Sequence, residues 1–79
     1  MRKARPSREA AAIQLVLGRN VLELREAAGM SQERLADLAS VSRSYLSRIE
    51  GGRVNVTLST IVRIANVFGV KVIDLLTQD

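Results

Sequence analysis

The stretch VSRSYLSRIEGGR, residues 41–53, concentrates the side chains best suited to binding chemistry. Arg43, Ser44, Ser47 and Arg48 offer guanidinium and hydroxyl donors, and no acid appears until Glu50. On a helix turning about 100° per residue, these four fall side by side over about 140° of arc. Tyr45, Leu46 and Ile49 fall on the opposite side. Exposed helix faces ordinarily include Glu or Lys, which form helices better than Ser. Short side chains between arginines instead let a helix come close to a polyanion. Arginine also presents two parallel donors that match the O6 and N7 acceptors of guanine in a major groove. Taken alone, the pattern fits either a solvated face or a surface that reads nucleic acid.

Other chemistries find little support. The chain has no cysteine and no histidine, which removes disulfide stapling and the usual zinc sites. No paired carboxylates suggest an active-site cleft, so an enzyme is the weakest reading, and no cofactor, metal or small-molecule ligand is expected. No apolar run approaches the ~20 residues needed to span a membrane. The basic N-terminus lacks the apolar core of a secretory signal, so a soluble cytoplasmic protein is the default expectation. The net charge of +4 is concentrated at one end: Arg2, Lys3, Arg5 and Arg8 precede the first acid, Glu9. Beyond them the charges balance, so an argument for nucleic acid rests on where the charges of the body sit.

The elements that position these groups are helical. Leu17, Val21, Leu24 and Ala28 recur on one helical face, with Ser7 as an early cap and Gly29 as a stop. Gly18 interrupts this helix, at a cost of about 1 kcal/mol relative to Ala, and marks either close packing or the start of the compact domain. Ser31 caps a second helix, Gln32 to Ala39, and Ser42 a third, Arg43 to Glu50, ended by Gly51-Gly52. Thr57 caps a fourth, whose Leu58, Ile61, Ala65 and Phe68 share a face; a fifth runs from about Val72 to Thr77. The fold expected is all-α, a compact five-helix domain. Residues 1–12 form a basic arm that includes the start of the first helix, and 13–79 the domain proper.

From about Leu17 to Leu76 the chain resembles the Cro/repressor-type helix-turn-helix family, also called XRE-like, which has the lambda-repressor-like fold. The resemblance rests on Arg25, Gly29, SQERLA at Ser31–Ala36, the spaced Leu46 and Ile49, and Glu50-Gly51-Gly52. It places the helix-turn-helix at residues 32–50, and RSYLSRIEGGRVNVTL looks like controller proteins of restriction-modification systems. Where family members often carry glycine at the tight turn, this chain has Ser40, expected to adopt the left-handed conformation nonetheless.

The resemblance implies a transcriptional regulator that binds double-stranded DNA. Arg43, Ser44, Ser47 and Arg48 match positions that read base edges. Gln32, Ser42, Tyr45, Arg53 and Asn55 are the phosphate-binding candidates, although Ser42 is also a cap, Tyr45 also packs inward and Asn55 also suits holding its own loop together. Arg25 and Glu50 are implied to form a structural ion pair. Acids matching Glu33 and Asp37 touch RNA polymerase in some activating repressors, while dipole compensation is the simpler account of both.

One short recognition helix covers few base pairs, so a homodimer on a two-fold-related site is expected. Val62, Ile73 and Leu76 are the candidate interface, with Ile13 and Val16 a second patch. The arm is either a solvated tail or a source of nonspecific affinity. The rival function is a protein-interaction module of the same fold, such as an antitoxin-like partner-binding protein.

Overall fold

A computed structural model describes residues 7–78. These form five helices: α1 (Arg8–Ala27), α2 (Gln32–Ala39), α3 (Arg43–Glu50), α4 (Leu58–Phe68) and α5 (Val72–Leu76). No described helix is long and apolar enough to cross a membrane. Arg2, Lys3 and Arg5 of the basic arm lie outside the described residues.

Each start is fixed by a local cap. The hydroxyls of Ser7, Ser31, Ser42 and Thr57 accept from the backbone N–H three residues on, at 3.0, 3.0, 3.0 and 3.2 Å. This satisfies one of the donors that every helix start leaves unpaired. At α5 the Asp74 carboxylate accepts from the Lys71 backbone N–H at 2.9 Å. Helix α1 runs without a break through residues 12 and 13. Helix α5 ends at Leu76, one residue short of the expected Thr77, where the backbone turns extended at φ −120° and ψ 147°.

Between α2 and α3 the chain turns through Ser40, at φ 58° and ψ 43°. It is the single non-glycine residue with positive φ among those described. The turn is held by Val41 N–H donating to the Ala36 carbonyl at 2.9 Å. A left-handed residue with a Cβ costs about 1 kcal/mol. The turn tolerates it because only Ser40, Val41 and the cap Ser42 redirect the chain between two packed helices.

Leu17 and Val21 of α1, Leu35, Ala36 and Ala39 of α2, Leu46 and Ile49 of α3, Ile61, Ile64 and Ala65 of α4, and Leu75 of α5 form one core. Helix α3 lies against both α1 and α2, α4 against α2 and α5, and α5 closes back on α1. Ala36 leaves room for the crossing of α2 and α3, where Leu35, Leu46 and Ile49 are fully enclosed. Two apolar positions depart from the sequence pattern. Leu58 is 75% exposed at the first turn of α4, and Ile64 takes its place in the core. Ala28 is exposed because α1 has already ended.

Long-range polar contacts complete the frame. Arg63 of α4 donates from Nε to the Ala39 carbonyl at 2.8 Å, a cation placed at the C-terminus of α2, which has none of its own. Asn20 of α1 donates to the Leu75 and Thr77 carbonyls at 2.9 and 3.0 Å, gathering the unpaired end of α5.

Candidate nucleic-acid interface

Helix α3 presents two chemically distinct sides. Leu46 and Ile49 are buried and Tyr45 is half-buried, whereas Arg43, Ser44, Ser47 and Arg48 are exposed. These four and Gln32 of α2 line one shallow concavity. The structure therefore brings the base-reading candidates and one phosphate candidate onto a single continuous surface. Its outward groups are donors and cations, which suits a phosphate-bearing ligand.

Glu50 lies at the far end of α3 and is neutralised before it can oppose such a ligand. Arg25 Nε donates to Glu50 Oε2 at 2.7 Å and Arg25 Nη2 to Glu50 Oε1 at 3.2 Å. A third guanidinium bond, from Nη1, reaches the Met30 carbonyl at 2.8 Å and pins the loop after α1. The two side chains are only 14% and 5% exposed. The hydrogen bond to Glu50 pushes Arg25 up from its ordinary value; burial opposes this, while the charges of Glu50 and Glu26 reinforce it.

The phosphate candidates have divided duties. Gln32 Nε2 donates to Glu50 Oε1 at 2.9 Å, so its side chain is held in place with one amide proton still available. The Ser42 oxygen is used as a cap, leaving its hydroxyl proton. Arg53 is exposed in the loop between α3 and α4. The Tyr45 hydroxyl, a candidate for the DNA backbone, donates to the Asn55 carbonyl of that loop at 3.4 Å. The Asn55 side chain, expected to brace its own loop, pairs with α1: Gln14 Nε2 donates to Asn55 Oδ1 at 2.7 Å.

Sequence reasoning missed Gln14, Asn20 and Arg63. None belongs to a periodic pattern, and the partners of Asn20 and Arg63 include backbone carbonyls that any residue could supply. Of the interface candidates, Val62 and Ile73 are 44% and 61% exposed and Leu76 is half-buried. Ile13 is 40% exposed and Val16 is half-buried on α1. Leu38 and Leu58, also exposed, extend the apolar surface of α2 and α4 beyond what was expected.

Comparison with known proteins places this geometry among regulators. A helix-turn-helix family profile matches residues 21–75. Control protein C.BamHI of Bacillus amyloliquefaciens is 42% identical over 65 residues, 81% of this chain and 80% of that protein. Control protein C.SmaI of Serratia marcescens is 36% identical over 66 residues, 84% of this chain and 79% of that protein. The crystal structure of the restriction-modification controller protein C.AhdI from Aeromonas hydrophila superposes with a TM-score of 0.76 at 38% identity, over 81% of this chain and 97% of that one.

Proposed function

The chain belongs to the helix-turn-helix family of XRE type, a family of DNA-binding transcription regulators, and from that premise we propose that it binds a two-fold-related operator as a homodimer, with α3 in the major groove. The observation that carries this reading is the shared concavity of Gln32, Arg43, Ser44, Ser47 and Arg48. Arg43 and Ser44 lie in the first turn of α3, the end that enters a groove first, and read base edges. Ser47 and Arg48 continue the same face one turn later. Gln32, with the N-terminus of α2 behind it, Ser42 and Arg53 hold phosphates and fix the register. Asn55 does so from its loop, and Tyr45 serves the backbone contact by supporting that loop.

The dimer follows from reach. Eight residues of α3 span about 12 Å, whereas two half-sites one turn apart are about 34–36 Å between centres. Val62, Ile73 and Leu76 place apolar surface on α4 and α5 for a symmetry mate to cover. The similarity to controller proteins over some four fifths of their length supports a place in the control of restriction-modification genes.

A gel-shift assay on DNA selected from a random library, with unselected DNA as competitor, tests the reading. Wild type should form a complex that resists the competitor. Arg43→Ala should lose that resistance while keeping its helical circular dichroism. Equal complexes on selected and unselected DNA would refute operator recognition.

A further inference from the structure

The loop between α3 and α4 is held from α1, through residues that precede the segment matched by the family profile. Gln14 donates to the Asn55 side chain at 2.7 Å, across 41 residues of sequence. The backbones of the two segments nearly touch at the same place. A Cβ on Gly52 would lie 2.7 Å from Leu15 Cδ2, 3.0 Å from Leu15 Cα and 3.4 Å from the Gln14 carbonyl oxygen. From the other side, the Tyr45 hydroxyl donates to the Asn55 carbonyl at 3.4 Å. Asn55 is thus held at its side chain by α1 and at its backbone by α3, and it remains exposed.

An asparagine amide has an accepting oxygen and a nitrogen with two protons. With Oδ1 turned toward the Gln14 donor, Nδ2 is left without a protein acceptor among the described residues. Turning the amide over would set its N–H groups against the Gln14 N–H. With Gln14 donating, the Asn55 amide is held in the orientation that offers donors outward, and the reverse orientation requires both amides to turn over together. A phosphate accepts hydrogen bonds and offers none, so only this orientation suits a DNA backbone.

We infer that Gln14 is a positioning residue for backbone recognition, orienting the Asn55 amide so that its N–H groups meet a phosphate. This rests on the operator-binding reading above. It assigns the N-terminal turns of α1 a part in DNA affinity without any contact between Gln14 and DNA.

The test is a double-mutant cycle in operator binding, measured by fluorescence anisotropy over a range of salt. It uses the full chain and the variants Gln14→Ala, Asn55→Ala and both together. Alanine is the best helix former, so Gln14→Ala should keep the thermal midpoint within a few degrees. It should weaken operator binding about fivefold, the worth of one neutral hydrogen bond. The salt slope should not change, because no charge is altered. In the Asn55→Ala background the same Gln14→Ala change should have no further effect.

Gln14→Glu adds a second readout. Its carboxylate only accepts, so it turns the Asn55 oxygen outward while keeping the side-chain bond. It should weaken binding more than Gln14→Ala; the part of the excess due to the reversed amide should vanish in the Asn55→Ala background, while the part due to the added charge remains and shows in the salt slope. If wild type binds the operator but Gln14→Ala binds equally well, the inference is overturned while operator binding stands. Equal losses with and without Asn55 would also overturn it. If wild type itself binds no operator, the operator reading falls first.

Discussion

Arg25 holds Glu50 through two guanidinium N–H groups, at 2.7 and 3.2 Å, and so joins α1 to the last residue of α3. The pair lies behind the exposed face of Arg43, Ser44, Ser47 and Arg48 rather than on it. Arg25→Ala should strip a nearly buried carboxylate of its partner and cost about 3 kcal/mol. In a domain of this size that lowers Tm by roughly 15 °C, measurable by circular dichroism. Replacing both residues with Met should cost less, because no uncompensated charge remains. The raised Arg25 value fixes the sign with pH: a cation stabilised by folding contributes below its unfolded pKa and is lost only as pH rises through the folded value. Arg25 itself therefore introduces no loss of stability near neutral pH.

Gly18→Ala should also destabilise, against the ordinary preference of helices. Helix propensity alone would favour the change by about 1 kcal/mol. The new Cβ, however, would sit 2.5 Å from the Ile49 carbonyl oxygen and 2.8 Å from that of Glu50. Backbone must move to admit it, so chemical denaturation should show a net loss of about 2 kcal/mol. A gain in stability would mean that α1 and α3 are not so closely apposed.

Arg53→Ala should weaken binding to operator and random DNA alike. Its effect should appear in the salt dependence, with the slope of log K against log salt reduced by about 1. Arg43→Ala should instead relax the preference for one base pair, for which the readout is binding to operators altered one position at a time.

Ile73→Asp should leave the monomer folded, since the side chain is 61% exposed, and should raise the dimer dissociation constant by roughly tenfold or more. Sedimentation across the micromolar range measures this. A wild type that stays monomeric at high micromolar concentration would dispose of the α4–α5 interface.

What the sequence disclosed was mostly local. The caps at Ser7, Ser31, Ser42 and Thr57 and the positive-φ glycines at 29 and 69 act within one turn, and their residue types announce them. Ser40 was legible only through the family resemblance, in which this turn often carries glycine; a serine does not by itself announce a left-handed backbone. Gly18 was ambiguous because a glycine signals closeness without saying to what; the Ile49 carbonyl supplies the answer. Leu58 was misread because a periodic pattern does not fix which residue of a first turn reaches the core. In the candidate site, residue types and helical spacing revealed the outward face of α3. The bond from Gln14 to Asn55 was hidden, because an amide pair 41 residues apart leaves no period and no charge pattern.

The grip of Asn20 on α5 bears on how the molecule comes into being. The α5 carbonyl it holds at 2.9 Å belongs to Leu75, 55 residues later in the chain. During synthesis α1 leaves the ribosome first, yet its main packing partners, α3 and α5, follow it. Most of the stability of a helix in a protein comes from the packing of its apolar face rather than from propensity. A nascent chain that stops before α5 therefore leaves α1 without one flank, so native assembly of these five helices finishes only after translation has passed α5. The regulator becomes available as a complete unit, not by degrees.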